Sequence, residues 1–173
     1  DGTVVAWGRN NNGQSNVPRN LTGGISVSSG EGHSLALRED GSLVAWGFNN
    51  RGQSIIPFGL AEVTAISSGY YHNLALGSDG LVTAWGSNDF GEATVPANLG
   101  RALAVAAGWR HSLALQEDGT VVAWGNNTEL PENLSNVTAI AAGNPHAMAL
   151  FDNGAIVLWA MDGSDLDDIG LGN

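Results

Sequence analysis

The residues best suited to chemistry in this sequence are four histidines, which recur at a nearly constant spacing. They are His33, His72, His111 and His146, and the chain has no others. A histidine side chain can serve as a general base or as a metal ligand. A shared metal site would require the four rings to converge. Because each histidine instead occupies the same place in a repeated motif, we predict that it makes a structural hydrogen bond to neighbouring backbone and binds no metal.

Two of these histidines precede a serine, which raises the question of a nucleophile with its base. Ser34 follows His33, and Ser112 follows His111. Adjacent residues of a strand lie on opposite faces, so such neighbours cannot form a nucleophile–base pair. The chain has no cysteine, phosphate-binding loop or cluster of metal ligands. The sequence therefore predicts that the protein is not an enzyme and has no cofactor.

The histidines belong to an internal repeat, which is the dominant feature of the sequence. "DGTVVAWG" starts at residue 1, "DGSLVAWG" at 40, "DGLVTAWG" at 79 and "DGTVVAWG" at 118, and a degraded copy, "NGAIVLWA", starts at 153. The last step is shorter because the linker after Trp124 has lost four residues. Repeats of this length are typical of propellers and solenoids. We expect the repeated tryptophans to be core residues, namely Trp7, Trp46, Trp85, Trp124 and Trp159.

Each repeat divides into three short strands, here termed A, B and C. Residues 137–143, 111–115 and 120–125 are examples of the three. Short apolar runs bounded by Gly and Asp indicate buried strands, and the "DG" between B and C indicates a tight turn. The predicted fold is an all-β propeller, or part of one, with four complete blades of about 39 residues and one N-terminal strand over residues 1–160. A solenoid is the alternative.

Net charge restricts the classes of partner. The chain carries six arginines, no lysine and a net charge of -11. Such a surface repels nucleic acid and anionic lipid, so we predict neither as a partner. No apolar run is long enough to span a membrane. Residues 161–173 form an acidic tail whose aspartates, at 162, 165, 167 and 168, do not fit an EF-hand; calcium binding there stays open.

The motif G-x-x-H-S-L-A-L-x-x-D-G-x-V-x-A-W-G-x-N-x-x-G-Q resembles the regulator of chromosome condensation repeat. The short period and the "VP" of "GQSNVP" are more similar to its compact bacterial branch, which includes a secreted inhibitor of β-lactamases. This resemblance implies a ring of seven three-stranded blades and a secreted or cell-surface location in bacteria. Four blades are too few for that ring. Either the chain is part of a longer protein, or a homodimer completes the ring.

Binding residues are expected on one face of the propeller, the top face, where the A–B loops and the loops after strand C lie together. Residues that vary between repeats can carry specificity, and Tyr, Trp and Arg often anchor protein interfaces. The resemblance implies that Tyr70, Tyr71 and Trp109 grip a protein partner. The full predicted site is Glu31, Phe48, Arg51, Tyr70, Tyr71, Asp89, Phe90, Trp109, Arg110 and Asn144.

Several functions other than this protein-binding module stay open. The same aromatic and polar residues would suit a carbohydrate, and inhibition of a secreted enzyme such as a β-lactamase is a specific form of protein binding. A nucleotide-exchange factor or chromatin binder is disfavoured by the acidic charge. A purely structural repeat, in which the aromatic side chains only fill gaps between loops, is the remaining alternative.

Overall fold

The computed structural model describes residues 2–60 and 62–161, and this part of the chain holds twelve strands and no helix. The strands form four antiparallel three-stranded sheets in chain order, which we term blades 1 to 4. Their strands are β1 (Gly24–Ser29), β2 (His33–Arg38), β3 (Leu43–Gly47), β4 (Val63–Ser68), β5 (His72–Gly77), β6 (Val82–Gly86), β7 (Ala102–Ala107), β8 (His111–Gln116), β9 (Val121–Gly125), β10 (Val137–Ala142), β11 (His146–Phe151) and β12 (Ile156–Ala160). The predicted all-β blade architecture is confirmed.

The turn between the second and third strands of a blade explains the repeated "DG". Gly41 has a φ of 76°, in the left-handed region that glycine adopts without strain. Asp40 Oδ1 accepts the backbone N–H of Ser42 at 2.9 Å, which closes the turn from the aspartate side. Equivalent bonds form at Asp79 and Asp118. The same two-residue signal therefore fixes the hairpin register in successive blades.

The core lies between blades rather than within a single sheet. Leu74 and Leu76 of blade 2 pack against Ala114 and Trp124 of blade 3. Leu35 and Leu37 of blade 1 pack in the same way against Ala75 and Trp85 of blade 2. The middle strands of blades 2 and 3 are therefore buried on both sides by neighbouring blades, which is why their sequences are apolar without strict alternation.

Linkers between blades also contribute to these interfaces. The carbonyl oxygen of Gln53 accepts the indole N–H of Trp85 at 3.2 Å, and that of Glu92 accepts the indole N–H of Trp124 at 2.9 Å. The shortened linker before blade 4 offers no equivalent carbonyl among the described residues, and Trp159 Nε1 instead contacts Met161 Sδ at 2.9 Å. The loss of four residues seen in the sequence thus removes one linker–tryptophan bond.

The N-terminal copy of the tryptophan motif departs from the prediction. Residues 2–8 belong to none of the twelve strands, and Trp7 is 85% exposed, whereas the other four repeated tryptophans are buried. A third strand needs the middle strand of its own blade as a hydrogen-bonding partner, and the described residues supply none for this segment. The predictions of an N-terminal strand and of a buried Trp7 are therefore wrong for the chain as described.

Other expectations concern the termini and the membrane. The acidic run at 162–173, with its open question of calcium binding, lies outside the described residues. Within 2–60 and 62–161 no helix has the length and apolar character needed to cross a bilayer. The same residues contain no group of three or more His, Cys, Asp or Glu side chains positioned to hold a metal ion.

Candidate functional site: an aromatic cluster on the top face

The top face is organised by its A–B loops, which are joined in a row through backbone hydrogen bonds. The N–H of Glu31 donates to the carbonyl of Tyr70 at 3.2 Å, and the N–H of Tyr70 donates to that of Gly108 at 3.1 Å. Trp109 continues the row by donating to the carbonyl of Gly143 at 3.1 Å. The four loops thus form one continuous rim, which fixes where their variable side chains begin.

Aromatic side chains from blades 1 and 2 and the loop of blade 3 meet above this rim. The rings of Tyr70 and Tyr71 lie 4.5 Å apart in an edge-to-face arrangement. Phe48 lies 5.6 Å from Tyr71, and Trp109 lies 6.2 Å from Tyr70, measured between ring centroids. These separations are those of favourable aromatic pairs. Because the rings are half-buried by one another, the cluster is ordered before any partner arrives.

Arg110 closes one side of the cluster. Its guanidinium carbon lies 3.8 Å from the ring centroid of Trp109 and 4.3 Å from that of Phe90. Both distances are within the range of cation–π attraction. The arginine therefore ties the A–B loop of blade 3 to the linker that precedes that blade.

Two ion pairs hold the linkers at the edge of the cluster. Arg51 contacts Asp89 at 2.9 Å, and Arg9 contacts Glu31 at 3.0 Å. About half of the Arg51 and Asp89 side chains is exposed, so this pair contributes roughly 0–1 kcal/mol to stability. Its main consequence is geometric, because it joins two linkers that follow different blades.

A cavity of about 250 Å³ lies between these linkers and the aromatic rings. Its floor includes Glu92, a buried carboxylate that accepts a hydrogen bond from Ser87 Oγ at 2.7 Å and from the N–H of Phe90 at 2.8 Å. The sequence interpretation missed Ser87 and Glu92. A comparison of the repeats could have identified both residues. Glu92 replaces the glutamine found at the equivalent positions 14 and 53, and Ser87 replaces Phe48. The repeat that replaces glutamine with the buried carboxylate of Glu92 therefore also supplies the Ser87 hydroxyl that donates to it.

The structure unites most of the predicted site residues. Phe48, Tyr70, Tyr71, Phe90, Trp109 and Arg110 form the cluster, with Arg51 and Asp89 at its edge. Glu31 and Asn144 instead line the opening at the centre of the rim, beside Tyr70 and Trp109. The part that these ten residues play in binding stays a prediction.

The histidines have a structural role, although their partners differ from the prediction. Nε2 of His33 lies 2.9 Å from Asn73 Oδ1, and Nε2 of His72 lies 2.9 Å from Ser112 Oγ, so each bond reaches a side chain of the following blade rather than backbone. Ser112 Oγ donates its single proton to the carbonyl of Glu92 at 2.8 Å. His72 Nε2 must therefore be the donor to Ser112.

The third histidine lacks this partner. The residue of blade 4 that corresponds to Asn73 and Ser112 is Ala147. No hydrogen bond joins the His111 ring to blade 4 in the described structure, and its Nε2 is buried without a partner, as is Nδ1 of both His33 and His72. Burial lowers the pKa of His111 to about 4. Burial, with the nearby His111 and His33 charges, lowers the pKa of His72 to about 3.

Three segments of the chain match one family model. Residues 25–53, 63–92 and 103–129 match the model described as "Regulator of chromosome condensation (RCC1) repeat". These segments contain the middle and third strands of blades 1 to 3 and the linkers that form the aromatic cluster. A search of curated protein sequences gives no match.

Solved structures share the fold. Prp20p from Saccharomyces cerevisiae is 24% identical with a TM-score of 0.70, over 82% of this chain and 47% of that chain. Yeast RCC1 (Prp20) bound to Kap60 is 26% identical with a TM-score of 0.67, over 79% of this chain and 43% of that one. The CRINKLY WD40 ectodomain of the Arabidopsis thaliana receptor kinase ACR4 is 24% identical with a TM-score of 0.73, over 92% and 62%.

These relatives are longer than the chain, which spans only 43–62% of their lengths. At identities near 25% the likeness shows the fold and not the partner. The compact bacterial branch is not tested by any of the matches and stays a prediction. The repeated motif, the four three-stranded blades and the threefold family match agree, and the chain belongs to the regulator of chromosome condensation repeat family.

Proposed function

We propose that this chain is a protein-binding module without catalytic activity, and that its partner contacts the aromatic cluster of the top face. The observation that carries the proposal is the contiguous surface of Tyr70, Tyr71, Trp109 and Arg110, which the loops of adjacent blades bring together. Tyr, Trp and Arg are the residue types that contribute most to protein interfaces. Their preordered packing reduces the side-chain entropy that binding would otherwise remove.

The repeats themselves indicate that this cluster is not needed for folding. The position of Tyr70 is occupied by Glu31 in blade 1, Trp109 in blade 3 and Asn144 in blade 4. All four blades nevertheless form the same three-stranded sheet. Because a blade forms with an acidic or amide side chain at this position, the aromatic residues there require another explanation, and binding is the one we favour.

Charge on the two ends of the blades favours the top face as the binding surface. At the top, the charges of Arg9 and Arg51 are paired with carboxylates, and Arg110 packs on aromatic rings. At the opposite end, the turns between second and third strands carry exposed aspartates at 40, 79 and 118. A neutral partner therefore meets a balanced aromatic surface at the top and a strongly acidic one at the bottom.

The fold relatives support the class of partner without identifying it. Prp20p has binding properties toward Gsp1p and histones, and yeast RCC1 (Prp20) has been crystallised bound to Kap60. All of these partners are proteins. For the present chain we transfer only that class, because the identity near 25% carries no information on individual contacts.

A carbohydrate is the second candidate, but the position of Arg110 makes it less suitable. A sugar ring would stack on an open aromatic face. The guanidinium of Arg110 covers one face of Trp109 and contacts the ring of Phe90. A glycan array should therefore give no specific signal. The other alternative, inhibition of a secreted enzyme, is tested by assaying the chain against a panel of such enzymes that includes β-lactamases.

The test is capture of partners from an extract of the source cells by the immobilised chain and by its variants. Trp109→Ala and Tyr71→Ala should each weaken capture of the same protein about 10-fold or more, the effect expected of interface anchors. Phe58→Ala is the matched control, because Phe58 is a fully exposed aromatic residue in the linker before β4, away from the cluster. It should leave capture unchanged.

Melting temperatures decide between binding and packing as the role of the cluster. Trp109 and Tyr71 are half-buried, so their alanine variants should lower the melting temperature by only a few degrees. A loss of capture that merely tracks the loss of stability across the variants would contradict the proposal. Specific glycan binding that depends on Trp109 would replace it with the carbohydrate alternative.

A further inference from the structure

The cavity of about 250 Å³ beside the aromatic cluster contains a buried negative charge without a counter-ion. Glu92 lines this cavity and is only 2% exposed. Its two carboxylate oxygens accept hydrogen bonds from Ser87 Oγ and from the N–H of Phe90, and neither donor carries a charge. Within residues 2–60 and 62–161 the carboxylate forms no ion pair. Burial of an unpaired carboxylate is costly, so its presence requires an explanation.

The preceding repeat shows that the fold does not need this charge. Gln53 occupies the equivalent position and is fully buried, and its Oε1 accepts the N–H of Arg51 at 2.9 Å. This bond corresponds to the one that Glu92 Oε2 accepts from Phe90 at 2.8 Å. An amide oxygen is therefore sufficient to close the turn. The negative charge is an addition that is particular to the linker before blade 3.

A second replacement in the same linker leaves space for a ligand. Ser87 occupies the position that Phe48 has in the preceding repeat. The ring of Phe48 lies 5.6 Å from that of Tyr71, so it packs against the A–B loop of blade 2. A serine at position 87 places no ring against the A–B loop of blade 3, and the cavity lies between them. The buried charge and the space beside it thus occur together in one linker.

The walls of the cavity suit an organic cation. Tyr70, Tyr71, Phe90 and Trp109 contribute to the lining, and the faces of aromatic rings attract positive charge. The chain itself provides an example of this attraction, because the guanidinium carbon of Arg110 lies 3.8 Å from the ring centroid of Trp109. A guanidinium is planar, so it can stack on a ring and hydrogen-bond to a carboxylate at the same time. The cavity offers both kinds of partner.

The two arginines that line the cavity do not neutralise Glu92. Arg51 is paired with Asp89 at 2.9 Å, and Arg110 packs against aromatic rings. Arg51 is exposed and Arg110 only half-buried, so water and salt screen their charges more than they screen the buried charge of Glu92. The cavity therefore favours a cation over an anion, in the same sense as the net charge of -11.

We infer that a protein partner places an arginine side chain in this cavity, with its guanidinium over the carboxylate of Glu92. The inference rests on the proposed function and names the group that the top face recognises. The stem of the arginine packs against Tyr70 and Tyr71, and its charge faces a carboxylate that water hardly reaches, where the attraction is strong. The lining residues belong to blades 2 and 3 and to the linkers before them, so the cavity does not depend on either end of the chain.

The test is a titration of the whole chain with Nα-acetyl-arginine amide, followed by two-dimensional NMR. The N–H of Phe90 should shift saturably, because it donates to the Glu92 carboxylate, and the indole N–H of Trp109 should shift with it. Nα-acetyl-citrulline amide has nearly the same shape without the charge and should bind about 10-fold more weakly. Equal binding of the two probes, or tighter binding of the anionic Nα-acetyl-aspartate amide, would overturn the inference.

Glu92→Gln assigns the binding to the buried charge. Glutamine keeps an acceptor for the N–H of Phe90, as Gln53 does in the preceding repeat, so the chain should fold. Its melting temperature without ligand should be unchanged or raised by a few degrees, because a buried unpaired charge has been removed. The variant should nevertheless bind the arginine probe about 10-fold more weakly and should no longer distinguish it from citrulline. A lowered melting temperature would show that the carboxylate serves the fold, and would overturn the inference.

Glu117→Gln is the matched control for this substitution. Glu117 is an exposed carboxylate that pairs with Arg101 away from the cavity. Its replacement removes one negative charge from the chain, as Glu92→Gln does, and should leave binding of the arginine probe unchanged. An equal loss of binding in both variants would reduce the effect to net charge and would overturn the assignment to Glu92.

Capture of a protein partner separates this inference from the proposed function. A protein whose capture depends on Trp109 should also be lost by the Glu92→Gln chain. Capture that Trp109→Ala abolishes and Glu92→Gln preserves would leave the proposed function standing and overturn the arginine site. Binding of the arginine probe through Glu92 without capture of any protein would support the arginine site and contradict the protein-binding module.

Discussion

The interface between blades 2 and 3 and that between blades 3 and 4 are built from the same repeat, yet only the first is complete. Across the first, His72 binds Ser112 and Trp124 binds the carbonyl of Glu92. Across the second, Ala147 occupies the position of Ser112, the His111 ring makes no hydrogen bond to blade 4, and the shortened linker supplies no carbonyl to Trp159 within the described residues. The apolar contacts persist at both. Apolar packing is therefore sufficient to stack blades, whereas the histidine bond is an optional addition to it.

Acid should weaken both interfaces, because each buries a histidine, and we expect this to be the largest effect. The pKa of His72 is lowered to about 3 and that of His111 to about 4 by burial, from 6.5 when exposed. Below pH 6.5 the two histidines are protonated in the unfolded chain but stay neutral in the folded chain. The free energy of unfolding therefore decreases as the pH is lowered, until the pH reaches the pKa values of the folded state. At pH 5 the loss should be about 2 kcal/mol for each of the two histidines.

Urea unfolding between pH 7 and pH 5 measures this dependence. Asp40→Asn is the control, because hydrogen bonds from Ser42 hold the pKa of the Asp40 carboxyl below its ordinary value and outside this window. It should leave the slope unchanged, whereas replacement of His72 by Leu should reduce the slope. A flat stability profile from pH 7 to pH 5 would show that the histidines are not buried as described.

Ser112→Ala should convert the complete interface into a copy of the incomplete one. It leaves the N–H of His72 buried without an acceptor, which costs about 1–3 kcal/mol. Ser34→Ala is the matched variant, because Ser34 bonds to the linker carbonyl but to no histidine, and it should cost about 0.5–1.5 kcal/mol. Equal losses for the two variants in urea unfolding would mean that the histidine bond adds nothing measurable.

Ala147→Ser should repair the incomplete interface, with the smallest expected effect. By analogy with Ser112, a hydroxyl at this position should hydrogen-bond to the His111 ring and raise the free energy of unfolding by about 1 kcal/mol. Ala114→Ser places the same hydroxyl in a fully buried site packed among apolar side chains and should be destabilising. If Ala147→Ser destabilises the chain as much as Ala114→Ser, the missing acceptor is not what distinguishes this interface.

The architecture followed from the sequence because it depends on features within one repeat. The "DG" turns, the apolar middle strands and the spacing of the tryptophans each act locally, and four copies reinforce them. Contacts between repeats could not be derived in this way. The histidine partner lies in the next blade, so a prediction based on one motif places the bond on backbone. The sequence shows that Ser34, Asn73, Ser112 and Ala147 occupy the same position in successive repeats. It does not show which histidine each of them can bind, because that depends on the direction in which the blades stack.

For the candidate site, too, the sequence predicted the features that depend on one repeat but not the contacts between repeats. That variable residues would share the top face followed from the order of the strands. Which of them meet did not, because the contact of Phe48 with Tyr71 and the position of Arg110 between two rings depend on the rotation between successive blades. The error at Trp7 has a related cause, since burial of that residue depends on strands that the described chain does not supply.

The rim of the top face has a consequence for engineering. Its loops are joined through main-chain N–H and carbonyl groups at Glu31, Tyr70 and Trp109, so the joints do not depend on which side chain each loop carries. Acidic, phenolic and indole side chains already occupy this position within one chain. Randomised libraries at 31, 70, 109 and 144 should therefore retain the scaffold while changing what it recognises, which makes the chain a starting point for selecting new binders.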